Sequence, residues 1–275
     1  MKPKIIKVYN KNNEYQHIQV LKRNRKKRSK FNEFFVEGAK SITYAVQNNW
    51  KILSFIYCTE TELSLWAKNI LNNSTAEKHI ELSAQLMTDL SDKDEDVSEI
   101  LAIVSIPENN LERIKLYDNP LIVIFDRPSN HGNLGTLIRS CEALNVDGLI
   151  ITGHAVDLYD VKTIRASLGT FFSIPIIRLD SHKEVSNWLE KIKEEYNNFQ
   201  IIGSTSQTET SIEKADFSRP TALLIGNETK GLSFKYKEMC DALVKIPMYG
   251  EITSFNVSCA ASIMLYEIDR QRRGA

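Results

Sequence analysis

The sequence predicts an α/β protein, in which a mostly parallel C-terminal sheet flanked by helices follows a smaller N-terminal α/β domain. Three observations support this prediction. After residue 120, short runs of Ile, Val and Leu alternate with amphipathic segments, a pattern typical of parallel strands covered on both faces. Several of these apolar runs end in polar loops that contain glycine or asparagine, where a ligand can reach backbone groups. Before residue 120, shorter apolar runs and helical segments also alternate over roughly 100 residues.

The N-terminal domain is predicted to span residues 1–107, where strands and helices alternate over roughly 100 residues. A polar linker follows at residues 108–119 and closes at Pro120, and the second domain covers residues 120–275. In the first domain the predicted strands are 34–36, 52–58, 79–82 and 100–106, and the predicted helices are 39–47, 60–71 and a short one before the last strand.

The second domain has the more regular alternation, which is why it predicts a parallel sheet. Its predicted strands are 121–125, 148–152, 172–177, 200–204, 221–225 and 242–246. Its predicted helices are 134–144, 161–166, 182–196, 234–240 and 256–270.

The formal net charge of zero conceals a basic segment in which seven cations fall within nine residues. Such a run is often only a solvated face or a tail. Here it leads directly into Phe31 and Phe34, so it adjoins a folded element, and we expect it to bind the phosphate backbone of RNA. The cations of this basic segment are Lys22, Arg23, Arg25, Lys26, Lys27, Arg28 and Lys30.

Composition argues against several other classes of protein. No apolar run has the length of a membrane span, and the N-terminus lacks the apolar core of a signal peptide, so no membrane association is expected. The histidines share no metal-ligand spacing, and no metal is expected. The cysteines are scattered without a C-x-x-C pair, which favours buried thiols in a reducing cytoplasm: Cys58, Cys141, Cys240 and Cys259.

The segment from residue 242 to residue 270 predicts a ligand site between a strand and a helix. Pro247 ends the strand pairing, and Gly250 gives the following loop its backbone freedom. Thr253, Ser254 and Asn256 are side chains that cap helix starts. The helix beyond them has an apolar stripe with a helical period, formed by Val257, Ala260, Ala261, Met264, Leu265 and Ile268.

A second polar loop, between Gly226 and Gly231, has the glycine spacing of a P-loop, but Leu232 stands where a phosphate-binding lysine is required. After strand 121–125 the glycines are also too widely spaced for a dinucleotide fingerprint. Nucleotide-dependent chemistry of these two kinds is therefore disfavoured.

Three segments together resemble the three motifs of the SpoU RNA methyltransferases, part of the SPOUT superfamily. In order they are Asn133-Leu134-Gly135-Thr136-Leu137-Ile138-Arg139, Ile225-Gly226-Asn227-Glu228 continuing to Gly231-Leu232, and Ile246-Pro247-Met248 followed by Ser254-Phe255-Asn256-Val257-Ser258. Phe255 departs from the Leu usual before the motif asparagine. Phe35-Val36-Glu37-Gly38-Ala39 is similar to the ribosomal-protein-like RNA-binding domain that precedes many such enzymes.

The resemblance implies a fold and a function. Periodicity alone is typical of a Rossmann-like domain, whereas the resemblance implies a deep trefoil knot and a homodimer that pairs through the C-terminal helix. It also implies methylation of a ribose 2′-hydroxyl in structured RNA by S-adenosylmethionine, with ribosomal RNA favoured over tRNA. A tRNA 2′-O-methyltransferase and a non-catalytic RNA-binding protein remain the alternatives.

The resemblance also implies which residues form the site. Arg139 is expected to stabilise the developing alkoxide or to grip the adjacent phosphate, because a guanidinium is a poor general base. A salt bridge to Glu142 is the structural alternative, and the proton acceptor is either a side chain or a substrate phosphate. Asn133, Glu228, Ser254 and Asn256 complete the expected catalytic set, the last three orienting Arg139 and substrate. The expected cofactor residues are Thr205, Gly226, Asn227, Gly231, Ile246, Met248 and Phe255.

Overall fold

The structure is a computed structural model that describes residues 3–73, 75–91 and 98–274. The chain forms two compact units. The first comprises the described residues up to Glu108 together with Asp157–Ser173, and the second comprises Asn109–Val156 together with the described residues from Ile174 onward. Residues 157–173 therefore belong to the first unit, although the sequence pattern assigned them to the second domain.

The secondary structure alternates along the described residues as the sequence pattern predicts. The strands are β1 Lys4–Val8, β2 Glu33–Glu37, β3 Ile52–Cys58, β4 Lys78–Leu82, β5 Ile100–Ser105, β6 Leu121–Asp126, β7 Gly148–Thr152, β8 Ile176–Leu179, β9 Gln200–Ser204, β10 Thr221–Ile225 and β11 Ala242–Val244. The helices are α1 Asn13–Arg23, α2 Arg25–Phe31, α3 Ala39–Gln47, α4 Leu65–Asn73, α5 Ala84–Leu90, α6 His131–Ala143, α7 Val161–Ala166, α8 His182–Glu195, α9 Phe234–Met239 and α10 Val257–Arg273.

The first unit is built on a mixed sheet with the strand order β1-β4-β3-β5-β2. β4 pairs in parallel with β1 and β3, and β5 pairs antiparallel with β2 and β3. The sequence pattern did not anticipate β1, α1 or α2. The basic segment is helical because Lys and Arg are good helix formers, and Asn12 and Asn24 cap the two helix starts with their side chains.

A buried aromatic cluster in the first unit explains one wrong strand prediction. Phe171 and Phe172 pack with Phe34 and Trp50, and their ring centroids lie 5.1–6.2 Å apart. These contacts hold Thr170–Phe172 in a 3₁₀ turn. The strand predicted at residues 172–177 therefore begins only at Ile176, after Pro175, whose nitrogen cannot donate a hydrogen bond.

The second unit contains the predicted parallel sheet, with the strand order β11-β9-β10-β6-β7-β8. Every strand pair that the described residues form in this sheet is parallel. The central strands β6 and β10 are buried along their whole length. Strand order does not define a knot, so the trefoil knot stays a prediction of the resemblance.

Two helix starts matter for the site. α6 begins at His131, earlier than predicted, because Asn130 caps it by accepting a hydrogen bond from the backbone N–H of Asn133. α10 is capped by Asn256, and its buried side follows the predicted stripe through Ala261, Met264 and Ile268.

Two expectations from composition concern the membrane and the thiols. Within the described ranges, none of the helices combines the length and apolar character that a bilayer crossing requires. Cys58 and Cys141 are buried as expected, and Cys240 is partly buried. Cys259 is exposed on α10, so the prediction of four buried thiols is wrong at that position.

Candidate functional site

Adjacent parallel strands bring two of the motif segments to one edge of the sheet in the second unit. β6 and β10 are neighbours in register, with Phe125 opposite Ile225. The polar loop that leads into α6 and the loop that begins at Gly226 therefore leave the sheet side by side, at the carboxyl ends of their strands. This edge is where ligands bind in open parallel sheets.

The carboxylate of Glu228 joins these two loops. It accepts hydrogen bonds from the backbone N–H of Ser129 at 3.0 Å and from the Ser129 hydroxyl at 2.7 Å. The backbone N–H of Asn130 donates at 3.1 Å, and the side-chain amide of Asn133 donates at 3.3 Å. A carboxylate that is so fully engaged fixes the shape of the loop before α6.

These contacts also set the charge state of Glu228. Burial acts to raise its pKa, but the hydrogen bonds from Ser129, from the backbone of Glu228 itself and from Asn133 outweigh burial and lower it. Glu228 is therefore ionised at neutral pH. Its oxygens are occupied by donors of the protein, so its role is to hold loops in place.

The third motif segment is tied to the same network through Asn133 and Asn256. The side-chain amide of Asn256 donates to the Asn133 carbonyl oxygen at 3.0 Å. The side-chain oxygen of Asn256 accepts from the backbone N–H of Ser258 at 2.9 Å and from its hydroxyl at 2.7 Å. One chain of hydrogen bonds thus runs from Glu228 through Asn133 and Asn256 to the start of α10.

The loop between β10 and α9 is a tight turn held by its own backbone. Asn227 and Gly231 exchange backbone hydrogen bonds at 3.1 and 2.9 Å, and the side chain of Asn227 donates to the carbonyl of Arg127 at 2.7 Å. Gly231 has a φ of +63°, a conformation that favours glycine.

Gly226 is required by the close packing of this turn. A Cβ at this position would lie 2.2 Å from the backbone nitrogen of Leu232. The glycine therefore allows the turn to close on itself. A larger residue here would therefore disturb the fold as well as the cavity, because the clash is with backbone.

Two residues of the site were missed by the sequence reasoning, Asp126 and Arg127. The Arg127 guanidinium forms a double hydrogen bond to Asp126 at 2.8 and 2.7 Å and donates to the carbonyl of Gly231 at 3.2 Å. Asp126 also accepts from the backbone N–H of Ser233 at 3.0 Å. The signal that the sequence offered was the pair of charged residues Asp126 and Arg127 at the end of a buried strand.

A cavity of about 450 Å³ opens beside this network, a size typical of small-molecule sites. Its walls combine apolar side chains with hydroxyl and amide groups. All of the expected cofactor residues line it: Thr205, Gly226, Asn227, Gly231, Ile246, Met248 and Phe255. Glu228 and Ser254 from the expected catalytic set also line it, as do Ser206, Gln207, Lys230 and Lys237, which the sequence did not indicate.

Arg139 lies apart from this network. It is exposed on α6, and within the described part of the chain its guanidinium has neither a hydrogen-bond nor a salt-bridge partner. The structural alternative, a salt bridge to Glu142, is not formed. Glu228 and Asn256, which were expected to orient Arg139, bind Asn133 instead.

The structure places two cations of the basic segment in the interior of the first unit. Only 2% of the Arg28 surface is exposed, and its guanidinium binds Asp157 at 2.9 and 2.6 Å and Asp160 at 3.2 Å. It also donates to the carbonyl of Leu21. Lys22 is buried and donates to the carbonyl of Leu90. Arg28 and Lys22 are therefore structural, and the prediction that they contact RNA is wrong.

The remaining cations of the basic segment face solvent to different degrees. Arg25 is partly exposed. Four others are exposed, and none of these four forms a salt bridge with any residue that the structure describes. They are Arg23, Lys26, Lys27 and Lys30.

In residues 3–73, 75–91 and 98–274, His, Cys, Asp and Glu side chains form no group of three or more that could hold a metal ion.

A parallel sheet with a polar, partly apolar cavity at its carboxyl edge defines a ligand-binding α/β domain. The chain belongs to the SpoU rRNA Methylase family, which matches residues 120–266. Residues 12–102 match the SpoU L30e-like domain. The fold class predicted from the sequence is confirmed.

Individual relatives agree with this assignment over nearly the whole chain. A 23S rRNA (uridine(2479)-2'-O)-methyltransferase from Streptomyces viridochromogenes is 39% identical over 98% of this chain and 94% of that protein. A 23S rRNA (guanosine(2553)-2'-O)-methyltransferase, RlmP of Bacillus subtilis, is 26% identical over 89% of this chain and 91% of that protein. The crystal structure of the SpoU methyltransferase AviRb from Streptomyces viridochromogenes with AdoMet matches 96% of this chain and 99% of that chain, with a TM-score of 0.91 and 39% identity.

Proposed function

We propose that this protein methylates a ribose 2′-hydroxyl in ribosomal RNA with S-adenosylmethionine as the methyl donor. The observation that carries the proposal is the hydrogen-bond chain from Glu228 through Asn133 to Asn256, which joins the three motif segments beside the cavity. The relatives that match nearly the whole chain include 23S rRNA 2'-O-methyltransferases. Ribosomal RNA is therefore favoured over tRNA.

The cavity fits S-adenosylmethionine, which when bound supplies a methyl group on a sulfonium. Ile246, Met248 and Phe255 provide apolar walls for a flat ring system, and Thr205 and Gln207 provide polar groups that can fix its orientation. The tight turn from Gly226 to Gly231 keeps backbone groups at the cavity wall. These features support the cofactor assignment by shape and chemistry.

Arg139 is the residue that we assign to the reacting hydroxyl. A guanidinium carries only N–H donors and no acceptor, so it acts as a donor. Since the described residues leave it without a partner, it can hold a substrate phosphate or stabilise the negative charge that develops on the 2′-oxygen. The proton of the 2′-hydroxyl then passes to a side chain or to a substrate phosphate.

An enzyme that acts on ribosomal RNA is expected in the cytoplasm.

A direct assay tests the function. Purified protein is incubated with S-adenosylmethionine carrying a labelled methyl group and with 23S rRNA or bulk tRNA transcripts, and modified riboses are mapped. We expect label at a ribose of 23S rRNA and none with Arg139→Ala. Label in tRNA alone would show that the substrate is tRNA and not ribosomal RNA. RNA binding without methyl transfer to either RNA would make the protein a non-catalytic binder.

We also propose that the protein is a homodimer that pairs through α10. Met264 is buried, whereas Ile263 and Tyr266 on the opposite side of the helix are 38% and 56% exposed. The loop before α10 adds Tyr249 and Ile252, which are 98% and 75% exposed. A patch of this kind supports an interface between two copies.

Sedimentation decides the oligomeric state. We expect a dimer at low micromolar concentration and a monomer for Tyr266→Asp, because a carboxylate would have to be desolvated at the interface. Phe234→Asp is the matched control, since Phe234 is a 73% exposed aromatic residue of a different helix, α9. A wild-type monomer that binds S-adenosylmethionine tightly would contradict the dimer.

A further inference from the structure

Phe31 is an aromatic residue on the surface of the first unit, inside the basic segment. It is the last residue of α2, and 39% of its surface is exposed. Asn32 follows in the left-handed conformation, with a φ of 53°, and ends the helix. Lys27 lies one helical turn before Phe31, so both side chains project from the same side of α2.

Two ammonium groups flank the ring. The Nζ atoms of Lys27 and Lys30 lie 6.0 and 5.8 Å from the centroid of the Phe31 ring, within the range of cation–π attraction. Neither lysine forms a salt bridge with a carboxylate of the described residues. An exposed ring and two available cations therefore occupy one small area, which we call the Phe31 platform.

The platform is held in place from one side. The ring of His17 meets the ring of Phe31 edge-on, with centroids 4.8 Å apart and planes at 74°. His17 Nε2 lies 2.6 Å from a carboxylate oxygen of Glu33, the first residue of β2. Because His17 is fixed to the sheet in this way, the Phe31 ring has a rigid neighbour. A preorganised ring loses little conformational entropy when a ligand stacks on it.

We infer that the Phe31 platform binds one unpaired base of the RNA substrate. The base takes the place of the ammonium groups over the Phe31 ring, and Lys27 and Lys30 turn to the phosphates on either side of that nucleotide. A paired base in a duplex has both faces covered by its neighbours, so only an unpaired base can stack in this way. The inference deepens the proposed function, on which it rests, by assigning the first unit a subsite for unpaired nucleotides.

Two hairpin RNAs test the inference. They share the same stem and the same number of loop phosphates, but one has ordinary loop bases and the other has abasic loop nucleotides. Stacking on an aromatic side chain contributes about tenfold or more in affinity per base. We expect the wild-type protein to prefer the hairpin with bases by about this factor.

Variants of Phe31 separate stacking from packing. Phe31→Leu keeps apolar volume beside His17 but removes the aromatic face, so the preference for the hairpin with bases should disappear. Phe31→Trp should retain it. Tyr9→Leu is the matched control, because Tyr9 is a 78% exposed aromatic residue of the same unit, and no lysine that the structure describes lies over its ring. It should keep the wild-type preference.

The lysines should behave differently from the ring. Replacing Lys27 and Lys30 together by Gln should weaken both hairpins equally. It should also reduce the slope of log affinity against log salt by about 0.7 for each phosphate that the variant no longer neutralises. An unchanged slope would contradict the assignment of these lysines to phosphates.

Methyl transfer is measured on the same proteins, so that the two proposals fail separately. If the wild type methylates 23S rRNA but Phe31→Leu still prefers the hairpin with bases, the platform is wrong and the function stands. If the preference depends on Phe31 but no ribosomal RNA is methylated, the platform stands and the function is wrong. Equal binding of both hairpins by the wild type also overturns the platform.

Discussion

The motif loops of the second unit and the basic segment of the first unit differ in how many of their polar and charged side chains have partners within the protein. In the motif loops, Glu228 and Asn133 form hydrogen bonds with neighbouring loops, and these bonds fix the wall of the cavity. In the basic segment, Arg28 also binds a partner within the protein, but Lys26, Lys27 and Lys30 are exposed to solvent. A charge whose partners are all within the protein supports structure, and a charge without such partners is available to a ligand.

The largest expected effect sharpens this comparison within the basic segment. Arg28→Met should lower the free energy of unfolding by about 3–5 kcal/mol, because the partly buried carboxylate of Asp157 loses its buried counter-ion. Urea unfolding followed by circular dichroism measures the change.

Lys27→Met is the control for Arg28→Met, since it removes an exposed cation from the same helix and should change stability by no more than about 0.5 kcal/mol. Equal losses for the two variants would remove the distinction between buried and available cations.

Arg139 tests the opposite case, an arginine without a partner among the described residues. Arg139→Lys keeps the charge but loses the planar fork, and we expect single-turnover methyl transfer to fall by about a hundredfold or more. Binding of S-adenosylmethionine should be unchanged, because Arg139 does not line the cavity.

Glu142→Gln is the matched control for Arg139→Lys. Since the salt bridge between these two residues is not formed, the glutamine variant should turn over normally. Normal turnover of Arg139→Lys itself would show that an unpartnered arginine in this family can be functionally silent.

Gly226 tests whether the cavity wall depends on the closed turn. Gly226→Ala places a Cβ against the backbone of Leu232, and we expect a decrease in stability of about 1–3 kcal/mol together with loss of S-adenosylmethionine binding. Thermal unfolding and calorimetric titration measure the two effects.

Gly250→Ala is the control for Gly226→Ala, because a Cβ at Gly250 meets no heavy atom within 4 Å. It should leave both stability and cofactor binding unchanged. Full cofactor binding by Gly226→Ala would show that the turn can open without any loss of affinity for S-adenosylmethionine.

The smallest expected effect concerns the charge of Glu228. Glu228→Gln should cost about 1–3 kcal/mol at neutral pH, since its hydrogen bonds involve an ionised acceptor. Because the pKa of Glu228 is lowered from 4.5 in the folded protein, this contribution is present above that value and is lost as pH falls through the folded pKa. The difference in stability between wild type and variant should therefore shrink on acidification below about pH 4.5, and a constant difference would contradict the charged role.

Much of the fold could be predicted from the sequence because its signals are local. The apolar runs of β6 and β10 and the periodic stripe of α10 are readable from neighbouring residues. The strand predicted at residues 172–177 was wrong because Phe171 and Phe172 pack with aromatic residues far away in the chain. For the site, the resemblance to the family indicated part of the cavity lining, but the roles of Gly226 and Glu228 emerged only from their contacts.

The sequence by itself determined the fold class and the family motifs, since both are set by residue type and spacing along the chain, and the resemblance carried by those motifs indicated part of the cavity lining. The tertiary structure decided which charged side chains are available to bind a ligand. Arg28 and Lys27 are indistinguishable in a basic run, yet Arg28 meets Asp157, which lies 129 residues away, and Lys27 meets solvent. Such pairings depend on how distant segments pack, because a buried charge is tolerated only where the fold supplies its counter-ion.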